Sequence, residues 1–175
     1  MNEIISSMIE RRSVRNFKED LPGREAVQEI IEAGLYAASG MGRQPVIIID
    51  VTDRKLRDRL SEVNWEIGGW NDRFDPFYGA PEVLIVLADK SAPTYLYDGS
   101  LVMGNLMNAA HALGLGSCWI HRAKEEFEMD EFKQLLKELG IEGDYEGIGH
   151  CVIGYPAGEV QAAAPRKEGR TFFIS

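Results

Sequence analysis

The segment Arg11-Arg12-Ser13-Val14-Arg15 places three guanidiniums and a hydroxyl within five residues. Arginine presents a rigid fork of donors that matches phosphate oxygens, and a serine hydroxyl adds a neutral donor. The chemistry this implies is anion binding. The competing reading is that the cations complement the C-terminal end of a preceding helix, which accounts for one or two of them but hardly all three.

The second candidate is Ala38-Ser39-Gly40-Met41-Gly42-Arg43-Gln44-Pro45. Its glycines permit positive φ and a close approach of backbone to a ligand, and Ser39 and Gln44 supply polar contacts. An ordinary helix C-cap followed by a turn would read the same way. Gly114-Leu115-Gly116-Ser117-Cys118-Trp119-Ile120-His121-Arg122 fails as a dinucleotide fingerprint, because the third glycine is missing and the order is helix then strand. A tight helix-to-strand connection, with Trp119 simply in the core, competes with a ligand role. Pro165-Arg166-Lys167 with Arg170 reads as a solvated basic tail unless an anion elsewhere draws it in.

His111, His121 and His150 do not stand at metal-ligand spacing with Cys118 and Cys151, so no zinc site is expected. No phosphate loop, nucleophile elbow or Ser/His/Asp arrangement is present. The acidic pairs Glu125/Glu126 and Asp50/Asp53 suit a solvated helix face and a helix cap.

These residues need a frame. Asn2 is a plausible cap for a helix to Glu10, and Val27, Ile30, Ile31, Leu35 and Ala38 mark a second helix from near Pro22. Val46 to Val51 and Val83 to Ala88 are nearly unbroken aliphatic runs, predicted as central strands covered on both faces. Thr52 or Asp53 caps a helix through Leu56, Leu60 and Val63, and Trp65 to Pro81 reads as an irregular loop over a site. Trp65, Trp70, Phe74, Phe77 and Tyr78 either stack on a flat ligand or pack into the core. Asp98 to Leu113 reads as a helix buried on most sides, Ser117 to Ile120 and Gly147 to Gly154 as strands, and Asp130 to Leu139 as a helix. Tyr155 to Ser175 ends in Phe172, Phe173 and Ile174 and is predicted as a terminal strand seeking a sheet edge.

The chain has 175 residues, 19 Lys plus Arg against 28 Asp plus Glu, a net charge of −9, and 45% hydrophobic residues. That length supports a core and a cofactor pocket without disulfides or a structural metal. Residues 1–175 read as one domain, since no linker or repeat divides them. The acidic balance argues against nucleic acid and anionic membrane as partners. Two cysteines in apolar runs fit free thiols in a reducing compartment, and the aliphatic runs are too short to span a bilayer, so a cytoplasmic protein is expected.

Taken in order, Arg-Arg-Ser-x-Arg, Ser-Gly-Met-Gly-Arg-Gln-Pro, Phe-Tyr-Gly-Ala-Pro, Gly-Leu-Gly-Ser-Cys-Trp-Ile and a late Gly-Tyr-Pro resemble the flavin-dependent nitroreductase family over nearly the whole chain. The resemblance implies an α+β fold of three layers, α/β/α, with a mixed central sheet. It also implies a homodimer in which the C-terminal strand is exchanged, with FMN bound at each of two interface sites. By that resemblance Arg11, Arg12, Ser13 and Arg15 hold the phosphate and ribityl chain, helped by Arg166 and Lys167. Ser39, Gly40 and Gln44 arrive from the other subunit to border the isoalloxazine, and Gly116, Ser117, His121 and Arg122 lie along its opposite side. Many members carry Asn where this chain has Gly42 and Trp where it has Val46. The implied activity is hydride transfer from NAD(P)H through the flavin to a small-molecule acceptor such as a nitroaromatic or quinone, with no catalytic side chain. Two further readings share the same site: an FMN carrier or sensor without turnover, and a related flavoenzyme such as a reductive dehalogenase.

Overall fold

A computed structural model describes residues 1–174; Ser175 lies outside the described residues. Six helices and four strands follow in the order α1 Glu3–Glu10, α2 Arg24–Leu35, β1 Val46–Val51, α3 Arg54–Gly68, β2 Glu82–Asp89, α4 Tyr95–Ala112, β3 Gly116–Ile120, α5 Ala123–Phe127, α6 Asp130–Glu138 and β4 Tyr145–Gly154. The sheet order is β1-β2-β4-β3, and every pairing is antiparallel. The one parallel link is an isolated bridge from Ser13 to Ser117. The mixed sheet implied by the resemblance is therefore antiparallel within one chain.

Strand β2 organises the core. Val83, Ile85 and Leu87 face a cluster with Leu60, Val63, Phe77, Phe127 and Phe132, while Leu84, Val86 and Ala88 face Ile30, Val102, Met103 and Leu106. Alternation along one strand thus separates α3, α5 and α6 from α2 and α4, giving the expected α/β/α layers. Strand β1 corrects the sequence reading: only Val51 is buried, and the strand pairs on one side alone, with β2. Its aliphatic residues do not make it central; they leave an apolar edge with an open backbone ladder.

Asn2 caps α1 and Asp53 caps α3, each side chain accepting an N–H from the first turn, at 2.9 and 2.8 Å. Helix α3 runs on through Trp65 to Gly68 and closes on Gly69 at φ +65°, so the irregular stretch begins later than predicted. Arg57, buried on α3, donates to the Ala80 carbonyl and the Asp75 carboxylate, pinning that stretch to the helix. Asp75 also takes the Phe77 and Gly79 N–H groups at 2.9 and 2.7 Å. Burial alone would raise its carboxyl pKa, but Arg57 and Ser61 outweigh burial and hold it below the ordinary value.

Helix α1 has no buried residue, and Ile4, Ile5, Met8 and Ile9 are exposed along it. Helix α4 is less enclosed than predicted, with Leu96, Tyr97 and Leu101 exposed. The tail is held to Asn16–Lys18 as far as Ala157, then runs exposed without regular structure to Ile174. The predicted terminal strand does not form within one chain: the described part of the tail pairs with no edge of its own sheet.

At the β1–β2 edge Glu82 is buried beside Asp50, with Arg24 bonded to Asp50. Burial first, then the neighbouring carboxylate, pushes the Glu82 carboxyl up to about 8. A carboxyl raised on folding contributes stability that is complete below its unfolded pKa and lost as pH climbs through its folded one. Denaturant unfolding is thus expected to show stability falling by roughly 3 kcal/mol between about pH 5.5 and 8. Glu82→Gln should flatten that slope; an equally steep slope in the variant would contradict the assignment.

Candidate functional site

The first and third motifs meet. Val14 N–H donates to the Ser117 carbonyl at 2.9 Å, laying Arg11–Arg15 along the outer edge of β3. Gly116 permits this approach, since a Cβ there would sit 2.9 Å from the Val14 side chain. The Arg11 Nη1 and the Ser117 Oγ are both buried and have no hydrogen-bond partner. Buried donors without partners are costly, and they mark a place where an acceptor belongs.

Arg12 is committed differently. Its guanidinium donates to the Ile9 carbonyl at 2.6 Å and to the Arg11 carbonyl, closing the end of α1. These are the bonds that the helix-end reading describes. Ser13 and Arg15 remain exposed, and the Arg15 guanidinium stands 6.0 Å from the Tyr78 ring centre.

Arg15, Cys118, Trp119, Ile120, His121 and Arg122 share a cleft of about 220 Å³ with Asn64, Trp70, Phe74, Pro76 and Tyr78. Trp70 and Phe74 pack edge to face at 5.0 Å across one side, both partly exposed, whereas Phe77 is fully buried. The aromatic loop thus divides between cleft wall and core. Adjoining clefts of about 220 and 430 Å³ run past Ser13–Asn16 and past Arg12, Val14 and His111 to Val160–Gln161 of the tail.

Ser39, Gly40 and Gln44 lie elsewhere. Gly40 N–H donates to buried Asp98 at 3.0 Å, and Ser39 Oγ accepts the Gln44 N–H at 3.0 Å. Asp98 stands in the first turn of α4, while His111 beside the Arg12 cleft stands in its last turn, with Leu115 just beyond the helix. At 1.5 Å per residue the two sites are about 20 Å apart along that helix. One chain does not join them. Nor does it join Arg166 and Lys167, which sit on the exposed tail with Arg166 turned to the Ala164 carbonyl.

Four non-glycine residues among those described have positive φ: Met41, Gln44, Tyr78 and Arg122. All four fall in the candidate turns or the cleft wall, where strained backbone is characteristically placed. The environment of the thiols favours their protonated form. Burial raises Cys118 despite Arg15, and burial pushes Cys151 up to about 12, so neither is a thiolate at neutral pH.

Sequence reading missed one cluster. Glu126, assigned to a solvated face, is fully buried; its Oε2 lies 2.6 Å from Nε2 of fully buried His150, and its Oε1 accepts from Asn64 at 2.7 Å. Ala123, Glu126 and Phe127 at i, i+3 and i+4 carry the signal of one inward face. Among the described residues no group of His, Cys, Asp or Glu is arranged to hold a metal, and no helix is long and apolar enough to cross a membrane.

Comparison with known proteins places this geometry. A family model described as the nitroreductase family matches residues 8–155. The FMN reductase (NAD(P)H) of Bacillus subtilis is 27% identical, over 95% of this chain and 70% of its own length. An iodotyrosine deiodinase from Thermotoga neapolitana is 32% identical, over 83% of this chain and 84% of its own. The crystal structure of a nitroreductase with bound FMN from Desulfitobacterium hafniense superposes with a TM-score of 0.87 at 26% identity, covering 99% of this chain and 100% of that one.

Proposed function

Because the chain belongs to the nitroreductase family, we propose that it is an FMN-dependent oxidoreductase carrying hydride from NAD(P)H to a small aromatic acceptor such as a nitroaromatic or quinone. The observation that carries this is the Ser13–Ser117 bridge, which brings Arg11–Arg15 against Gly116–Arg122, two segments in which Arg11 Nη1 and Ser117 Oγ are buried without partners. A phosphate and the polar chain attached to it are the acceptors those donors fit.

Arg11, Ser13 and Arg15 hold the phosphate and ribityl end in this reading, while Arg12 shapes the end of α1 behind them. Gly116, Ser117 and the backbone at His121 and Arg122 border the ring. Ser39, Gly40 and Gln44, with Arg166 and Lys167 of the tail, complete the site from a second copy. The separation of these groups along α4, the unburied apolar face of α1 and the open edge of β1 all support a homodimer. The exposed run Phe172–Ile174 is the segment that would extend the partner's sheet.

FMN, when bound, supplies the electron-carrying ring, and the protein's part is to orient it and leave one face open. Arg11 would anchor the phosphate end and Ser117 would meet the ring. Trp70, Phe74 and Tyr78 form an apolar wall that limits water and suits a flat acceptor. No side chain need give or take a proton in this scheme, in keeping with cysteines held as thiols. Free buried cysteines also suit the cytoplasm.

Protein purified without added cofactor should be yellow, release a compound of FMN's mass on denaturation, and bleach on addition of NAD(P)H. A colourless protein that takes up no added FMN would overturn the proposal; flavin that never bleaches would leave a carrier. The likeness to an iodotyrosine deiodinase favours one second reading, reductive dehalogenation. Halide released from an iodophenol by the reduced protein would establish it.

A further inference from the structure

The cluster of Glu126, His150 and Asn64 lies beneath the His121–Arg122 turn and has no part in the scheme above. Its members come from α5, β4 and α3. The Glu126–His150 contact of 2.6 Å is fully enclosed, with the Phe77 ring centre 5.2 Å from the imidazole. Asn64 spends both amide protons here, one on Glu126 Oε1 and one on the His121 carbonyl, each at 2.7 Å. Arg122 follows at φ 84°, a conformation an L residue keeps only when its surroundings impose it. Glu126 N–H closes back on the Arg122 carbonyl at 3.1 Å. Gly147 lets the α5 backbone close directly onto β4, which is what brings Glu126 within reach of His150.

A buried carboxylate and imidazole are costly to keep where alkyl groups would fill the same space. A pair of hydrophobic residues would hold α5 on β4 but could not relay hydrogen bonds to a carbonyl. We propose that Glu126, His150 and Asn64 are positioning residues, a buried relay that fixes the His121–Arg122 turn so that its backbone presents a set geometry to the flavin ring. The site assignment rests on the FMN reading above; the relay itself stands on the contacts just described.

The test separates the two. In protein stripped of cofactor, Glu126→Leu is expected to speed amide hydrogen exchange at residues 126 and 127, the first of which closes on the Arg122 carbonyl at 3.1 Å, about tenfold or more, which corresponds to ~1.4 kcal/mol of local stability. Amides of β2 should keep native protection. Glu126→Gln should restore slow exchange, since its amide offers an acceptor to Asn64 and a donor to His150 Nε2. Asn64→Ala, which cuts only the Asn64 links to Glu126 and to the His121 carbonyl, should accelerate the same amides and serves if Glu126→Leu does not fold. Unchanged exchange at residues 126 and 127, or acceleration spread evenly through β2, would overturn the relay. In protein loaded with FMN the visible absorption maximum should shift in Glu126→Leu and return in Glu126→Gln; an unshifted spectrum beside accelerated exchange would overturn the turn's place at the ring. Native protein that binds no FMN would defeat the functional reading and leave the exchange result to decide the relay.

Discussion

An Arg11→Ala chain is expected to hold FMN roughly ten- to a hundredfold more weakly than the native chain, the loss that follows removal of a charge-assisted hydrogen bond worth about 1.5–3 kcal/mol. The native Nη1 is buried without a partner, so a bond to an anion would satisfy a donor that the free protein leaves unpaired. Equilibrium dialysis against FMN reads the change. Arg12→Ala is the control, because its guanidinium is engaged by the carbonyls ending α1. It should cost about 0.5–1 kcal/mol of stability and leave FMN affinity within about threefold. Equal losses of affinity in the two variants would mean the division between them is wrong.

Gly147→Val is expected to be the most destabilising single change on the β4 face. A Cβ at this position would run into the Ala123 carbonyl group and stand 2.7 Å from the Lys124 amide nitrogen. Backbone atoms cannot swing aside as a flexible side chain does, so α5 must lift from the sheet and take the buried Glu126 with it. Overpacking of this kind costs about 3 kcal/mol at its upper end, which corresponds to a fall in Tm of roughly 6–12 °C for a chain of this length. Calorimetry showing a Tm within about 2 °C of native would contradict the account of how α5 is seated.

What the sequence disclosed and what it hid follow physical lines. Strand β2 was legible because burial on both faces demands an unbroken aliphatic run, and Val83–Ala88 has no other explanation. The same rule misplaced β1, since composition reports what side chains touch and not whether the backbone edge is paired. Gly68-Gly69 held the true end of α3, but the aromatic residues around them drew attention to the loop instead. Asn2 and Asp53 were readable as caps because a cap is a local interaction. For Glu126 the helical spacing with Ala123 and Phe127 marked an inward face, but the partner that lets a carboxylate sit there, His150, is 24 positions away on β4.

The candidate site divides in the same manner. Arg11–Arg15 and Gly116–Arg122 were each visible as unusual local chemistry, and one β-bridge, Ser13 to Ser117, suffices to unite them. Ser39–Gln44 and Arg166–Lys167 were visible too, yet the fold of the single chain holds them apart from the rest. Arg12 shows the limit of counting charges: three guanidiniums within five residues looked like one purpose, and the structure gives one of them to a helix end.

A mixed-dimer experiment addresses the sharing of one site between two copies most directly. One chain carries Arg11→Ala and the other Ser39→Ala with Gln44→Ala, each binding FMN poorly alone. Unfolded together and refolded, the two should regain native-strength binding in about a quarter of all sites, because half the dimers are mixed and each mixed dimer holds one site with both halves intact. Absence of any native-strength site after mixing would show that a single chain carries the whole binding surface, and the shared site would have to be abandoned.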